Sequence, residues 1–296
     1  MTLDSLSQDT IVTYPGGDIE GRATILAVLP VPERDDQLMV IVDKTPVHPR
    51  DHRSPDQPAD QGYMMLGDQR IELRDCLTAA KNPETNEVFL DQGIPKDRKK
   101  TAGWPLFVAH IVDKAALDAD AALGQSVGLF VDANFRNKLS YIHSLSHMAS
   151  LALNKAVNDC WKKPARKDSQ GNNDFDGTAI DCSRIFPDHG EDRYRLGNSL
   201  RRQFQIDEVL GNLEKIQSEL NKHLQAWLNF SSITANIMPA ESRLSDRRMW
   251  KAKGNGFFAK IPCGGTHLER LDALRSAEVI LSREGADGLL MTTRPA

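Results

Sequence analysis

The chain has 296 residues, 40% of them hydrophobic and 26% charged, with a formal net charge of −4. That balance suits a globular protein with a true apolar core and excludes a low-complexity or fibrous chain. The four cysteines, Cys76, Cys160, Cys182 and Cys263, are scattered and exclude a small disulfide scaffold. No run of about 18 apolar residues is present, so no membrane span is expected. Met1 to Tyr14 carries no basic stretch followed by an apolar run, so no signal peptide and a cytoplasmic location are expected. The net negative charge gives no sign of a DNA-binding protein, although a local basic patch would still hold phosphate.

The first half reads as short strands. Gln8–Tyr14 is a candidate strand, with Pro15-Gly16-Gly17-Asp18 as its turn. Gly21–Val31 and Gln37–Asp43 are apolar and β-branched, with Pro32–Asp36 as a hairpin loop. A polar, proline-stiffened loop follows to Gly62, and its His48 and His52 are expected to be solvated rather than metal ligands. Tyr63–Leu66, Arg70–Leu77, Glu87–Leu90, Pro105–Val112 and Gln125–Asp132 continue as strands. Strands this short and this evenly spaced predict a small β-barrel-like domain over residues 1–132.

Residues 133–296 read as an α+β domain with an antiparallel sheet and long helices. Asn134–Trp161 predicts a helix, with Asp132 or Asn134 as its cap. Its apolar stripe runs through Leu139, Ile142, Leu145, Met148, Ala149 and Ala152. Lys162–Lys167 and Arg193–Arg202 are basic stretches: each is either a solvated surface or a contact for an RNA backbone. Phe175–Ile185 predicts a strand, and Ile206–Leu228 a single amphipathic helix with Asp207 as a plausible cap. Arg247–Lys253 and Gly256–Pro262 predict a hairpin around Gly254-Asn255-Gly256. Glu278–Ser282 and Leu289–Thr293 predict a last one.

Two motifs carry chemistry. His143 and His147 stand at i and i+4 of the first long helix, so both imidazoles leave one face a turn apart. Cys263-Gly264-Gly265-Thr266-His267 places two glycines between a thiol and an imidazole, and they allow the chain to fold back and aim both at one point. Together His143, His147, Cys263 and His267 supply the nitrogen and sulfur complement of a tetrahedral Zn2+ site. Four protein donors fill that shell, so the ion is either structural, or an orienting group, or held by one weak ligand. No His-Glu-x-x-His is present to supply a carboxylate base.

A Cys-Gly-Gly-Thr-His downstream of a His-x3-His helix resembles the editing domain of alanyl-tRNA synthetase and its free-standing AlaX relatives. The loop before Gly62 adds to the resemblance, with Asp43, Thr45, Pro46, Pro49, Gln57, Asp60 and Gly62 at the family's motif positions. It departs at Val47-His48, where the family has Phe-Tyr, and at Pro55-Asp56, where it has a glycine pair. The resemblance implies a zinc-dependent hydrolase of translation fidelity. Such an enzyme engages the acceptor end of aminoacyl-tRNA and clears serine from mischarged Ser-tRNA(Ala), with the loop choosing the amino acid. On that reading Thr45 and Gln57 are the candidate catalytic residues, orienting water or a substrate hydroxyl. Two other readings stay open: a non-catalytic, zinc-stabilised module that binds tRNA or a partner, and a hydrolase of another aminoacyl ester on the same scaffold.

Overall fold

Side chains alternate across a strand, and on Arg34–Val42 both faces are apolar. Leu38, Val40 and Val42 enter one buried cluster, while Met39 and Ile41 enter another. A strand buried on both faces belongs in the interior of a sheet. In the computed structural model, which describes residues 5–230 and 232–296, it does. The eight-stranded sheet runs in the order Gln69–Glu72, Gly62–Leu66, Ser126–Val131, Glu20–Val31, Arg34–Val42, Leu106–Asp113, Asp75–Lys81, Val88–Leu90. Its neighbours are antiparallel throughout.

The expected barrel closure is not seen among the described residues; the ladder is open, with Gln69–Glu72 and Val88–Leu90 at its edges. The reason lies at Leu73-Arg74. The expected strand Arg70–Leu77 splits there into Gln69–Glu72, which pairs with Gly62–Leu66, and Asp75–Lys81, which pairs with Leu106–Asp113. One chain segment thus serves two places in the sheet. The hairpin after Val31 is tighter than expected: Pro32-Glu33 alone turns the chain, and Glu33 takes a positive φ of 63°. The expected strand at Gln8–Tyr14 is only Ile11–Val12, which pairs with Lys44–Thr45 and Ser242–Arg243. The expectation for Met1–Tyr14 lies partly outside the described residues, which begin at Ser5.

The described residues form two compact units. The first comprises the chain up to Arg136 together with Met238–Arg248 and Gly264–Thr266. The second comprises Asn137–Ile237, Met249–Cys263 and His267–Ala296. The chain is therefore mixed α+β, with antiparallel sheets and long helices. No helix among the described residues is long and apolar enough to cross a membrane.

In the second unit, a four-stranded antiparallel sheet runs Ile180–Ile185, Gly190–Arg195, Gly288–Pro295, Ala277–Glu284. A three-stranded sheet runs Thr234–Met238, Met249–Gly254, Phe257–Pro262. Helix Leu213–Leu228 packs on Ala277–Glu284 through Ile216, Leu220 and Leu224, all in the core cluster. Its polar side chains also cover the edge of that strand. Asn221 Nδ2 donates to Val279 O at 2.8 Å, Asn221 Oδ1 accepts from Val279 N at 2.8 Å, and Gln217 Oε1 accepts from Leu281 N at 2.8 Å. An edge so satisfied cannot recruit another strand.

Two further expectations need correction. The helix read over Ile206–Leu228 is two helices, Ile206–Gly211 and Leu213–Leu228. Asn212 interrupts it at φ −128°, with its side-chain amide on Glu208 O; asparagine competes with the helix for backbone partners. Phe175–Ile185 opens as a helical turn, Phe175–Ala179, because Asp174 caps it by accepting from Gly177 N at 2.8 Å; the strand begins only at Ile180.

Candidate metal centre

Helix Ala133–Ala156 starts where Asp132 Oδ1 accepts from Asn134 N and Phe135 N, at 2.9 and 3.0 Å. That cap fixes the helix phase, and Leu139, Ile142, Leu145, Met148 and Ala149 are all buried. His143 and His147 sit beside this stripe, their ring centroids 5.0 Å apart. The other two donors come from the hairpin Met249–Gly254/Phe257–Pro262, whose second strand ends one residue before Cys263. Its turn is as the sequence indicates, with Asn255 at φ 49° and Gly256 at φ 78°.

All four donors belong to the second unit, and one ligand atom from each lies within 4.8 Å of the others. Cys263 Sγ is 3.4 Å from His143 Nε2 and 3.2 Å from His267 Nε2. The His267 ring centroid is 4.2 Å from that of His143 and 4.9 Å from that of His147. A tetrahedral zinc shell, with Zn–S about 2.3 Å and Zn–N about 2.0–2.1 Å, separates sulfur from nitrogen by about 3.6 Å. The spacing therefore matches a single ion equidistant from its donors. His143 is buried and the other three are partly exposed.

The donors also have the chemistry a metal requires. His147 Nε2 is buried with no hydrogen-bond partner, a state that costs about 1–3 kcal/mol unless something occupies the lone pair. Burial pushes His147 down to about 4, so its imidazole is neutral and ready to ligate. These residues fit a divalent ion such as zinc, and they form a His3Cys group able to hold one.

Behind the cluster stands Trp250, fully buried, its ring centroid 5.0 Å from His147 and 5.6 Å from His267. Ser144, the residue after His143, touches His267. Sequence reasoning passes over both, since neither residue type marks a metal site. Only the placement of Ser144 between His143 and His147 gave a signal.

Thr45 and Gln57 belong to the first unit, and their polar groups have partners within it. Thr45 Oγ1 accepts from Val47 N at 3.1 Å and lies 3.0 Å from His110 Nε2. His110 Nδ1 lies 3.1 Å from Val40 O. A carbonyl only accepts, so Nδ1 carries the hydrogen and the Thr45 hydroxyl donates to Nε2. Burial pushes His110 down to about 4, in keeping with a neutral ring. Gln57 grips Thr266 at both ends: Oε1 accepts from Thr266 N at 2.9 Å, and Nε2 donates to Thr266 Oγ1 at 2.9 Å.

The loop between Thr45 and Gly62 is buried more deeply than its polarity suggests. Asp60 accepts from His48 N at 2.6 Å and forms a two-pronged ion pair with Arg136, whose Nε lies 2.7 Å from Asp60 Oδ1 and whose Nη2 contacts Oδ2. Arg136 also donates to Pro46 O at 2.9 Å. His48 and His52, expected to be solvated, are both buried, and neither joins the metal group. Burial pushes His48 down to about 4.

Several cations of the basic stretches are engaged within the chain. Arg166 pairs with Asp174, Lys167 Nζ donates to Asn173 Oδ1 at 2.9 Å, and Lys162 Nζ donates to Arg201 O at 3.1 Å. Arg193 pairs with Glu191 and Glu284, and Arg201 with Asp207 and Asp287. In comparisons with known proteins, no family model and no curated sequence matches this chain.

Proposed function

We propose that this chain is a zinc-dependent hydrolase that removes the amino acid from a mischarged aminoacyl-tRNA, with Ser-tRNA(Ala) the first substrate to test. The observation that carries the reading is the convergence of a His-x3-His helix and a Cys-Gly-Gly-Thr-His turn, 120 residues apart, on one point. The resemblance of these two motifs to the AlaX type supplies the substrate class. His143, His147, Cys263 and His267 would hold the ion, which when bound supplies Lewis acidity toward an ester or a water and a fixed point for the substrate amine. The chain's part is to keep His147 neutral through burial and to present Cys263 as the single anionic donor. The hydrogen bonds of Thr45 and Gln57 support roles in shaping the loop and the Gly-Gly-Thr turn.

Incubation of the zinc-loaded chain with Ser-tRNA(Ala) should release serine well above the spontaneous rate, and the zinc-free chain should not. Release from a different charged tRNA, with none from Ser-tRNA(Ala), would move the reading to another aminoacyl ester. A second reading rests on its own observations. The donor group contains no carboxylate, and Arg166, Arg193 and Arg201 are already paired. A structural ion in a binding module would leave the protein so. Stoichiometric zinc without hydrolysis, across a panel of charged tRNAs, would establish that reading.

A further inference from the structure

We propose that Ser144 is a positioning residue for the metal: its hydroxyl holds His267 in the tautomer that carries hydrogen on Nδ1 and leaves Nε2 for the ion. Ser144 Oγ lies 3.3 Å from His267 Nδ1 and accepts from Leu268 N at 3.0 Å. A hydroxyl oxygen has two acceptor positions and one hydrogen. The Leu268 amide takes one acceptor position, and the Nδ1–H of His267 takes the other. The hydroxyl hydrogen is then directed to a helix carbonyl of the preceding turn, the usual outlet for a serine within a helix. The opposite polarity, with the hydroxyl donating to Nδ1, would put the ring hydrogen on Nε2. That nitrogen is the one 3.2 Å from Cys263 Sγ, and with a hydrogen on it no lone pair would be left for a metal.

One helix therefore supplies two ligands and also the group that orients a third, which lies 123 residues further along the chain from Ser144. Two bonds to consecutive residues, His267 and Leu268, fix the ring plane as well as the tautomer. Metal-bound histidines generally need such a partner on the second nitrogen, and losing it lowers metal affinity about 10–100-fold. Ser146 offers an internal comparison. It is buried on the same helix, but its Oγ has no partner and faces Gly190, where an added Cβ would come within 2.4 Å of it.

The proposal rests on the metal reading of the four donors and is independent of hydrolysis. The test is zinc affinity, by competition with a chromophoric chelator, for Ser144→Ala, Ser144→Thr and Ser146→Ala. It is paired with long-range proton–nitrogen NMR of the zinc-loaded, histidine-labelled chain. Ser144→Ala should lose about 10–100-fold in affinity. Ser144→Thr, which keeps the hydroxyl, should restore most of it, and Ser146→Ala should match wild type. The spectra should show His267 bonded to zinc through Nε2 with hydrogen on Nδ1. Equal affinities for Ser144→Ala and Ser146→Ala, or zinc bonded through Nδ1 of His267, would overturn the proposal alone. A chain that takes up no zinc would overturn the metal reading and this proposal with it.

Discussion

Replacing Cys263 and His267 together by alanine is expected to abolish stoichiometric zinc binding and every stabilising effect of zinc on the fold. Wild-type chain at a free zinc level about a thousandfold above its dissociation constant should gain about 4 kcal/mol against unfolding. Only His143 and His147 remain in the double variant, two neutral donors on one helix face, too few to close a tetrahedral shell. Urea unfolding with zinc and with chelator should therefore give two curves for wild type and one for the variant. The comparison separates metal from packing, since the two side chains are only partly buried and their truncation removes little apolar contact. A variant that still gains stability from zinc as wild type does would place the ion elsewhere.

The second large effect is expected at Arg136. Arg136→Met leaves the Asp60 carboxylate buried without its cation, with the guanidinium bonds to Pro46 O and Asp18 O lost as well. Removing one member of a buried pair typically costs about 3–5 kcal/mol, chiefly through the charge left behind. Asp60→Leu should cost a similar amount, because it strands the guanidinium and removes the acceptor of His48 N. The double variant should be less destabilised than the sum, since an apolar pair leaves no uncompensated charge. Denaturant unfolding of the four proteins measures this. Single-variant losses under about 1 kcal/mol, the range of exposed pairs, would contradict the burial of this one.

How far each feature could be read from sequence follows from the range over which its cause acts. The Asp132 cap and the Asn255-Gly256 turn are local, and a few residues carry all the information. The metal donors are distant in sequence, yet each half is a local pattern: a helix repeat for His143 and His147, a glycine pair between Cys263 and His267. The resemblance joined them. Arg136–Asp60 has neither aid. Its members stand 76 residues apart, and each looks like an ordinary surface charge until the sheet and helix start enclose them. His48 and His52 were misjudged for the same reason: loop composition indicates solvation, whereas burial depends on what packs over the loop. Strand spacing gave the number of segments in the first half but not their partners. Asp75–Lys81 therefore came out beside Leu106–Asp113 in an open ladder. The break at Asn212 was masked by an apolar stripe that continues in phase on both sides of it.

X-ray absorption at the zinc edge, on the purified chain after metal analysis, puts the most direct question to the four-donor centre. The expected result is about one zinc per chain, with three nitrogens at about 2.0–2.1 Å and one sulfur at about 2.3 Å. A chain without zinc, or a zinc shell of oxygens with no sulfur, would mean that His143, His147, Cys263 and His267 do not share an ion.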